Sequence, residues 1–182
     1  MRRVLYILGD LDDQDIDWIS DSGEVRSFSK GEFLVSEGSA IEFLYILLKG
    51  QCTVSINAAG NTRHVATLQP GEIIGELSFL DSRPPVASVS AIENCKVLAI
   101  PCATLQRKLD TDSGFAARFY RALGVFMSDR LRSVMGHMGY GETSESDMNA
   151  NATDVDELDP DVLDSLALAG KRFEYILQRL RQ

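Results

Sequence analysis

The stretch that decides the fold is "GEIIGELSFLDSRPPVASVSA", residues 71–91. It follows Pro70, which forms a turn with Gly71, and continues with a short apolar strand end, after which Gly75 allows the backbone to approach a ligand closely. "GELSFL" then opens a helical turn, and the free N–H groups at the start of a helix favour an anion. The stretch therefore predicts an anion-binding loop between two strands.

Two side chains in this stretch have the chemistry of a nucleotide site. Glu76 cannot bind a phosphate but can accept a hydrogen bond from a sugar hydroxyl, and Ser88 can donate its hydroxyl to a phosphate. Each residue also has a simpler interpretation, because a carboxylate at a helix start caps backbone amides and a half-buried strand serine needs no ligand. Backbone amides that can bind a phosphate, next to a carboxylate that can bind a sugar, together favour a nucleotide as the ligand.

The surrounding residues 23–100 predict an all-β domain. Short apolar runs rich in Val, Ile, Thr and Tyr alternate with glycine-containing turns at intervals of roughly 8–12 residues. "NAAGN" at 57–61 is typical of a hairpin turn, and "KGE" at 30–32 matches "PGE" at 70–72. The predicted fold is therefore mainly β, a jelly-roll barrel with two related halves.

Helices are predicted on both sides of this barrel, at 10–22, 102–110 and 112–135. The longest of them carries one apolar stripe with members three or four residues apart. Its members are Phe115, Phe119, Leu123 and Phe126. Asp112 or Ser113 is expected to cap its start, and Gly136 to end it.

The last third of the chain separates into a linker and a helix. Residues 137–158 are acidic and poor in large apolar side chains, which predicts a flexible linker between a domain at 1–136 and a helix at 159–182. Pro160 suits the first position of that helix, and cations gather towards its end. Its apolar face must dock back on the domain, pair with a second copy or bind a partner protein.

Composition limits the classes of function. A net charge of −9 opposes nucleic-acid binding, and no apolar run reaches the ~20 residues of a membrane span. The three cysteines follow no metal spacing and fit buried thiols in a reducing compartment, so we expect a cytoplasmic protein. With two histidines and no G-x-S-x-G signature, we expect neither an enzyme, a metal site nor a cofactor.

The order of residues in the loop resembles the phosphate-binding cassette of the cyclic-nucleotide-binding domain family, which includes catabolite activator proteins and protein kinase A regulatory subunits. The family motif runs approximately F-G-E-[LIM]-[AS]-L-L and then P-R-[AS]-A-[ST]-V. Here it is similar to "IGELSFL" at 74–80 and "PPVASV" at 84–89, and the resemblance extends over about 10–135. It implies a helix–jelly-roll–helix architecture, a ligand such as cAMP or cGMP, and a homodimer through 112–135.

This sequence departs from the family motif at the residue that pairs with the phosphate. The family has an arginine where Pro85 stands, and proline offers neither charge nor N–H. Losing such a partner of a buried phosphate costs about 2–5 kcal/mol. Arg83 can span the two-residue offset if the segment is extended, or it is a surface residue on a loop tip. The predicted ligand-binding residues are Ile74, Gly75, Glu76, Leu77, Ser78, Arg83, Ala87 and Ser88.

Two functions follow from the resemblance. Either the chain is a regulatory sensor that binds a cyclic nucleotide or a related phosphate ligand and signals through its C-terminal helices, or it is a degenerate member that serves as a dimerisation or docking module. Transcription factors of the family carry a helix-turn-helix after the long helix. Here an acidic segment and one helix follow, so we expect no DNA binding, and the helix at 160–181 is a candidate site for a protein partner.

Overall fold

The computed structural model describes residues 5–58, 60–139 and 160–180. Two four-stranded antiparallel sheets form its centre, with strand orders β1-β8-β3-β6 and β2-β7-β4-β5. The strands are β1 Glu24–Phe28, β2 Phe33–Val35, β3 Phe43–Lys49, β4 Cys52–Ala58, β5 Asn61–Leu68, β6 Ile73–Ile74, β7 Ser88–Ala91 and β8 Cys95–Pro101. The predicted mainly β architecture is confirmed, and the hairpin expected at 57–61 joins β4 to β5.

The two central strands of the first sheet, β3 and β8, are buried on both faces. In β3, Leu44 and Ile46 point to the helices, whereas Tyr45 and Leu47 point to the second sheet. The same alternation recurs in β8. Because successive strand residues face opposite sides, a continuous apolar run such as "FLYILL" is what a strand between two cores requires.

The helices pack on the outer face of that sheet and on one another, around the helix-facing core. They are α1 Leu5–Asp10, α2 Asp13–Ser22, α3 Glu76–Asp81, α4 Cys102–Thr111, α5 Ser113–Gly139 and α6 Pro160–Arg179. The predicted stripe of α5 is buried in the helix-facing core. None of the helices in the described ranges is both long and apolar enough to cross a membrane.

Two helix boundaries differ from the prediction. The segment expected to form one helix at 10–22 is α2, preceded by the separate helix α1. Asp112 caps α5 as expected, since its Oδ1 accepts a hydrogen bond from the Phe115 N–H at 2.9 Å. The end predicted at Gly136 is wrong, because α5 continues to Gly139. Glycine inside a helix costs about 1 kcal/mol, which does not by itself stop the helix.

The C-terminal helix α6 docks back on the domain, which selects one of the three alternatives. It packs against α1 and α2, and Ala169 and Ile176 are fully buried there. Most of the predicted linker, residues 140–158, lies outside the described residues. The division into 1–136, 137–158 and 159–182 stays a prediction.

Candidate functional site

The backbone of the cassette, residues 71–89, has the predicted strand–turn–helix path. Gly75 lies between β6 and α3 in the left-handed region, with φ +97°. A Cβ at this position would lie 3.3 Å from Ile41 Cδ1 and 3.5 Å from the Phe43 carbonyl oxygen. Both the torsion and the close approach therefore require glycine here.

Glu76 begins α3 and is buried, with only 4% of its surface exposed. Its carboxylate forms an ion pair with Arg130 of α5, whose guanidinium also lies 5.5 Å from the centre of the Phe126 ring. Burial raises the pKa of Glu76, while Arg130 and the amides of Glu76 and Gly75 oppose that shift. The predicted acceptor for a sugar hydroxyl thus already has a cationic partner from α5.

Ser78 and Arg83 lie on a different side of α3 from Glu76. Two residues correspond to about 200° around a helix, so Glu76 and Ser78 face nearly opposite directions. Ser78, Ser82 and Arg83 line a cleft of about 370 Å³ between α3 and α4. The Arg83 side chain is 83% exposed, with its Nε 3.9 Å from Asp81 Oδ2. In this conformation Arg83 is a surface residue of the loop.

The second half of the cassette is covered by the loop between β2 and β3. The N–H of Glu37 donates to Ser88 Oγ at 3.0 Å, and the N–H of Gly38 donates to the Pro85 carbonyl oxygen at 2.8 Å. A serine hydroxyl accepts and donates at the same time, so Ser88 retains a proton for a ligand oxygen. The loop therefore fixes the position of Ser88 and leaves its hydroxyl proton available to donate.

The remaining predicted residues occupy the wall and rim of the cassette. Ile74 is buried in the core between the two sheets, Ala87 is half-buried against that core, and Leu77 is exposed. The structure thus brings Gly75 and Glu76 together with Arg130, holds Ser88 through Glu37, and separates Ser78 and Arg83 from Glu76.

The family model for the cyclic nucleotide-binding domain matches residues 25–112. Residues 25–112 belong to the cyclic nucleotide-binding domain family. The match includes the cassette and both sheets, and it ends at the residue that caps α5. The family resemblance inferred from the sequence is confirmed.

Relatives of this cyclic nucleotide-binding domain include regulatory proteins. The chain is 31% identical over 132 residues to the cAMP-dependent protein kinase regulatory subunit of Hypocrea atroviridis, a match that covers 68% of this chain and 28% of the relative. It is 25% identical to the regulatory domain of Toxoplasma gondii PKA solved with cAMP, with a TM-score of 0.53, covering 58% of this chain and 42% of that one. The chain therefore corresponds to about a quarter of the regulatory subunit.

A third comparison concerns the fold alone. A cyclic nucleotide-binding domain from Methylobacillus flagellatus matches with a TM-score of 0.69 and 18% identity, covering 79% of this chain and 85% of that one. The similarity of fold therefore extends over more of the chain than the family model matches.

Two residues of the site were missed by sequence reasoning. Arg130 is 54 positions from Glu76, and Glu37 is 51 positions from Ser88. A signal for Arg130 existed, because it stands four residues after Phe126 and thus continues the buried stripe of α5. Glu37 contributes only its backbone N–H to Ser88, so its side-chain identity carried no signal.

Proposed function

We propose that the domain is a regulatory sensor whose cassette binds a cyclic nucleotide, cAMP-like or cGMP-like, or a related phosphate-bearing ligand. The observation that carries this proposal is the cassette itself: Gly75 in the left-handed conformation, Glu76 at the start of α3 and the oriented hydroxyl of Ser88. The regulatory relatives described above support the same ligand class.

The contact between Glu76 and Arg130 offers a route from ligand to helix. A ligand hydroxyl that donates to Glu76 competes with the Arg130 guanidinium for the same carboxylate. Arg130 belongs to α5, α5 packs on α1, and α1 packs on α6. Ligand binding therefore shifts α5 and, through α1, the position of the C-terminal helix.

A degenerate cassette is the second candidate. Two observations favour it: Pro85 supplies no cation, and Arg130 already neutralises Glu76. In this alternative the ion pair is a permanent structural contact, and the fold serves as a module for dimerisation or docking.

We further propose a homodimer through α5. Opposite its buried stripe the helix carries a second row of apolar and small residues at alternating spacings of three and four, the pattern of a coiled-coil seam. The row consists of Ala117, Tyr120, Gly124, Met127 and Leu131, of which all but Met127 are exposed.

Light scattering should show a dimer that Leu131→Asp dissociates. Val125→Asp, outside the row, should leave it intact, and a monomeric wild-type protein would contradict the proposal.

We also propose that the protein is non-catalytic and cytoplasmic, with no cofactor beyond its ligand, no membrane association and no DNA partner. Its net charge of −9 supports the last point, because DNA binding requires a surplus of cations at the phosphates.

Thermal unfolding with millimolar cAMP, cGMP or 5′-AMP tests the sensor. A ligand at 100 times its dissociation constant stabilises the folded state by about 2.7 kcal/mol, which raises the midpoint by roughly 5–10 °C. We expect one cyclic nucleotide to produce this shift, 5′-AMP not to, and Glu76→Gln to reduce it. Glu93→Gln, in the exposed turn before β8, is the matched control. No shift with any cyclic nucleotide would select the degenerate module.

A further inference from the structure

The N-terminal helices form a groove lined on one side by acidic residues. Asp13, Asp17 and Asp21 of α2 are four residues apart and therefore share one face. The apolar floor includes Leu8 of α1 and Ile16 of α2, both buried. We call this surface the α1–α2 groove, and α6 lies in it.

The first contact point of α6 is Arg172, just past the middle of the helix, whose side chain is only 13% exposed. Its Nε and Nη2 donate to Asp13 Oδ1 at 3.0 and 2.9 Å. Its Nη1 donates to the carbonyl oxygens of Leu8 and Gly9 at 2.9 and 3.2 Å. Those carbonyls belong to the last turn of α1, where no intrahelical donor follows. Binding a carboxylate and two carbonyls at once requires the planar fork of a guanidinium.

The second contact point of α6 is Arg179, the last residue of the helix, seven residues and thus about two turns later. Its Nη2 donates to both carboxylate oxygens of Asp21, at 2.7 and 2.8 Å. Its Nη1 donates to Asp17 Oδ1 at 2.5 Å, and the Tyr175 hydroxyl donates to the same oxygen at 2.7 Å. Between the two arginines, Ile176 is fully buried. The groove therefore binds two guanidinium groups and buries an apolar residue between them.

The chain between α5 and α6 is long enough for α6 to leave the groove while a partner helix binds there. Twenty residues separate Gly139 from Pro160, a contour of up to about 70 Å. Attachment to the same chain gives α6 an effective concentration on the order of millimolar at the groove, against which a partner must compete.

We propose that the α1–α2 groove is a docking site for an amphipathic helix of a partner protein that carries two arginines seven residues apart on either side of a buried apolar residue. In this chain α6 occupies the groove as an intramolecular competitor. The charge complementarity supports this partner chemistry, since the groove face of α2 presents Asp13, Asp17 and Asp21, and α2 contains no lysine or arginine. The proposal does not depend on nucleotide binding.

A labelled peptide of residues 160–182 is the probe, with full-length chains as receptors. In the Arg172→Glu/Arg179→Glu chain, charge repulsion releases α6 and leaves the groove acidic. Fluorescence anisotropy should show this chain binding the peptide at least tenfold more tightly than the wild type. Replacing Asp13, Asp17 and Asp21 with asparagine in the same chain removes the groove carboxylates without attracting the two glutamates of α6, and it should abolish peptide binding. A peptide with lysine at both arginine positions keeps its charge and should bind at least tenfold more weakly.

Several outcomes would overturn the proposal. One is a released chain that unfolds cooperatively but binds the peptide no better than the wild type. If the double variant does not fold, Arg179→Ala removes one contact point, and no gain in peptide binding by this variant would be equally decisive. If the released chain captures tagged wild-type chain, and asparagine at the three groove aspartates removes that capture, the groove would be assigned to α6 of a second copy.

Discussion

Arg118 of α5 binds Asp15 of α2 through two hydrogen bonds, from Nε to Oδ2 at 2.6 Å and from Nη2 to Oδ1 at 2.9 Å. Asp15 is 3% exposed, and its carboxylate also accepts from the N–H of Asp12 in a reciprocal capping box. One buried carboxylate therefore caps α2 and joins it to the long helix of the domain.

Removing the charge of Asp15 should be costly. Asp15→Asn keeps the shape of the side chain but removes the buried carboxylate, while Arg118, which is 36% exposed, keeps its second partner Asp12 at 3.0 Å. Losing hydrogen bonds to a charged group typically costs about 1.5–3 kcal/mol. Urea unfolding should report a loss in this range. The control is Arg121→Ala, whose Nε is 3.8 Å from Asp10 Oδ2 and whose side chain is 77% exposed. It should cost no more than about 1 kcal/mol, and equal losses for both variants would contradict a special role for Asp15.

The same pair predicts a pH dependence. Burial opposes ionisation of Asp15, but hydrogen bonds from Arg118 and the Asp12 backbone outweigh it, so its pKa lies below the ordinary aspartate value of about 3.9. Its stabilising contribution is complete above that value and disappears as the pH falls through the lower folded pKa. The difference in unfolding free energy between wild type and Asp15→Asn should therefore shrink below about pH 4. A difference that stays constant down to pH 2 would contradict this assignment.

Two glycine substitutions separate the torsion of the cassette from its close packing. Gly75 and Gly31 both have positive φ, +97° and +87°, but only at Gly75 would a Cβ meet a neighbour. Each change to alanine should cost about 1–2 kcal/mol for the left-handed conformation. Gly75→Ala should cost more and should also weaken the thermal shift by a cyclic nucleotide, whereas Gly31→Ala should preserve that shift. Equal ligand responses in both variants would exclude a role for the tight Gly75 turn.

The cysteines should differ in reactivity. Burial raises the pKa of the Cys52 thiol to about 12, and Cys95, whose sulfur is 3.7 Å away, adds to that shift. Burial also raises the pKa of Cys102, but this side chain is only half-buried. Alkylation at pH 8 followed by mass spectrometry should modify Cys102 first, and Cys52 and Cys95 only in denaturant. Modification of Cys52 in the folded protein at the rate of Cys102 would contradict the burial of this pair.

Local patterns predicted the sheets, α4 and the stripe of α5 because each depends on residues close together in the chain. The period of two explains β3 and β8, and the spacing of three and four explains α5. Contacts between distant elements were not predictable in the same way. Glu76 with Arg130, and Asp13 with Arg172, depend on how whole helices are placed, which no local period encodes.

The helix expected at 10–22 shows that helix boundaries, too, were not fully predicted by local patterns. Asp12 suits a helix interior poorly and a cap well, and its capping box with Asp15 starts α2 at Asp13 and separates it from α1. The cassette was predictable as a backbone path because glycine and turn residues specify it directly. The partners of its side chains come from α5 and from the loop before β3, so the state of the site depends on tertiary structure.

The packing of α6 on α1 has a mechanical consequence. The first and last described helices contact each other, so tension applied between residues near the two ends of the chain is carried by that contact before it reaches the sheets. In an optical trap, α6 should detach as a separate early rupture that lengthens the tether, and the barrel should yield in a later event. The two arginine contacts should therefore break before the barrel bears any tension.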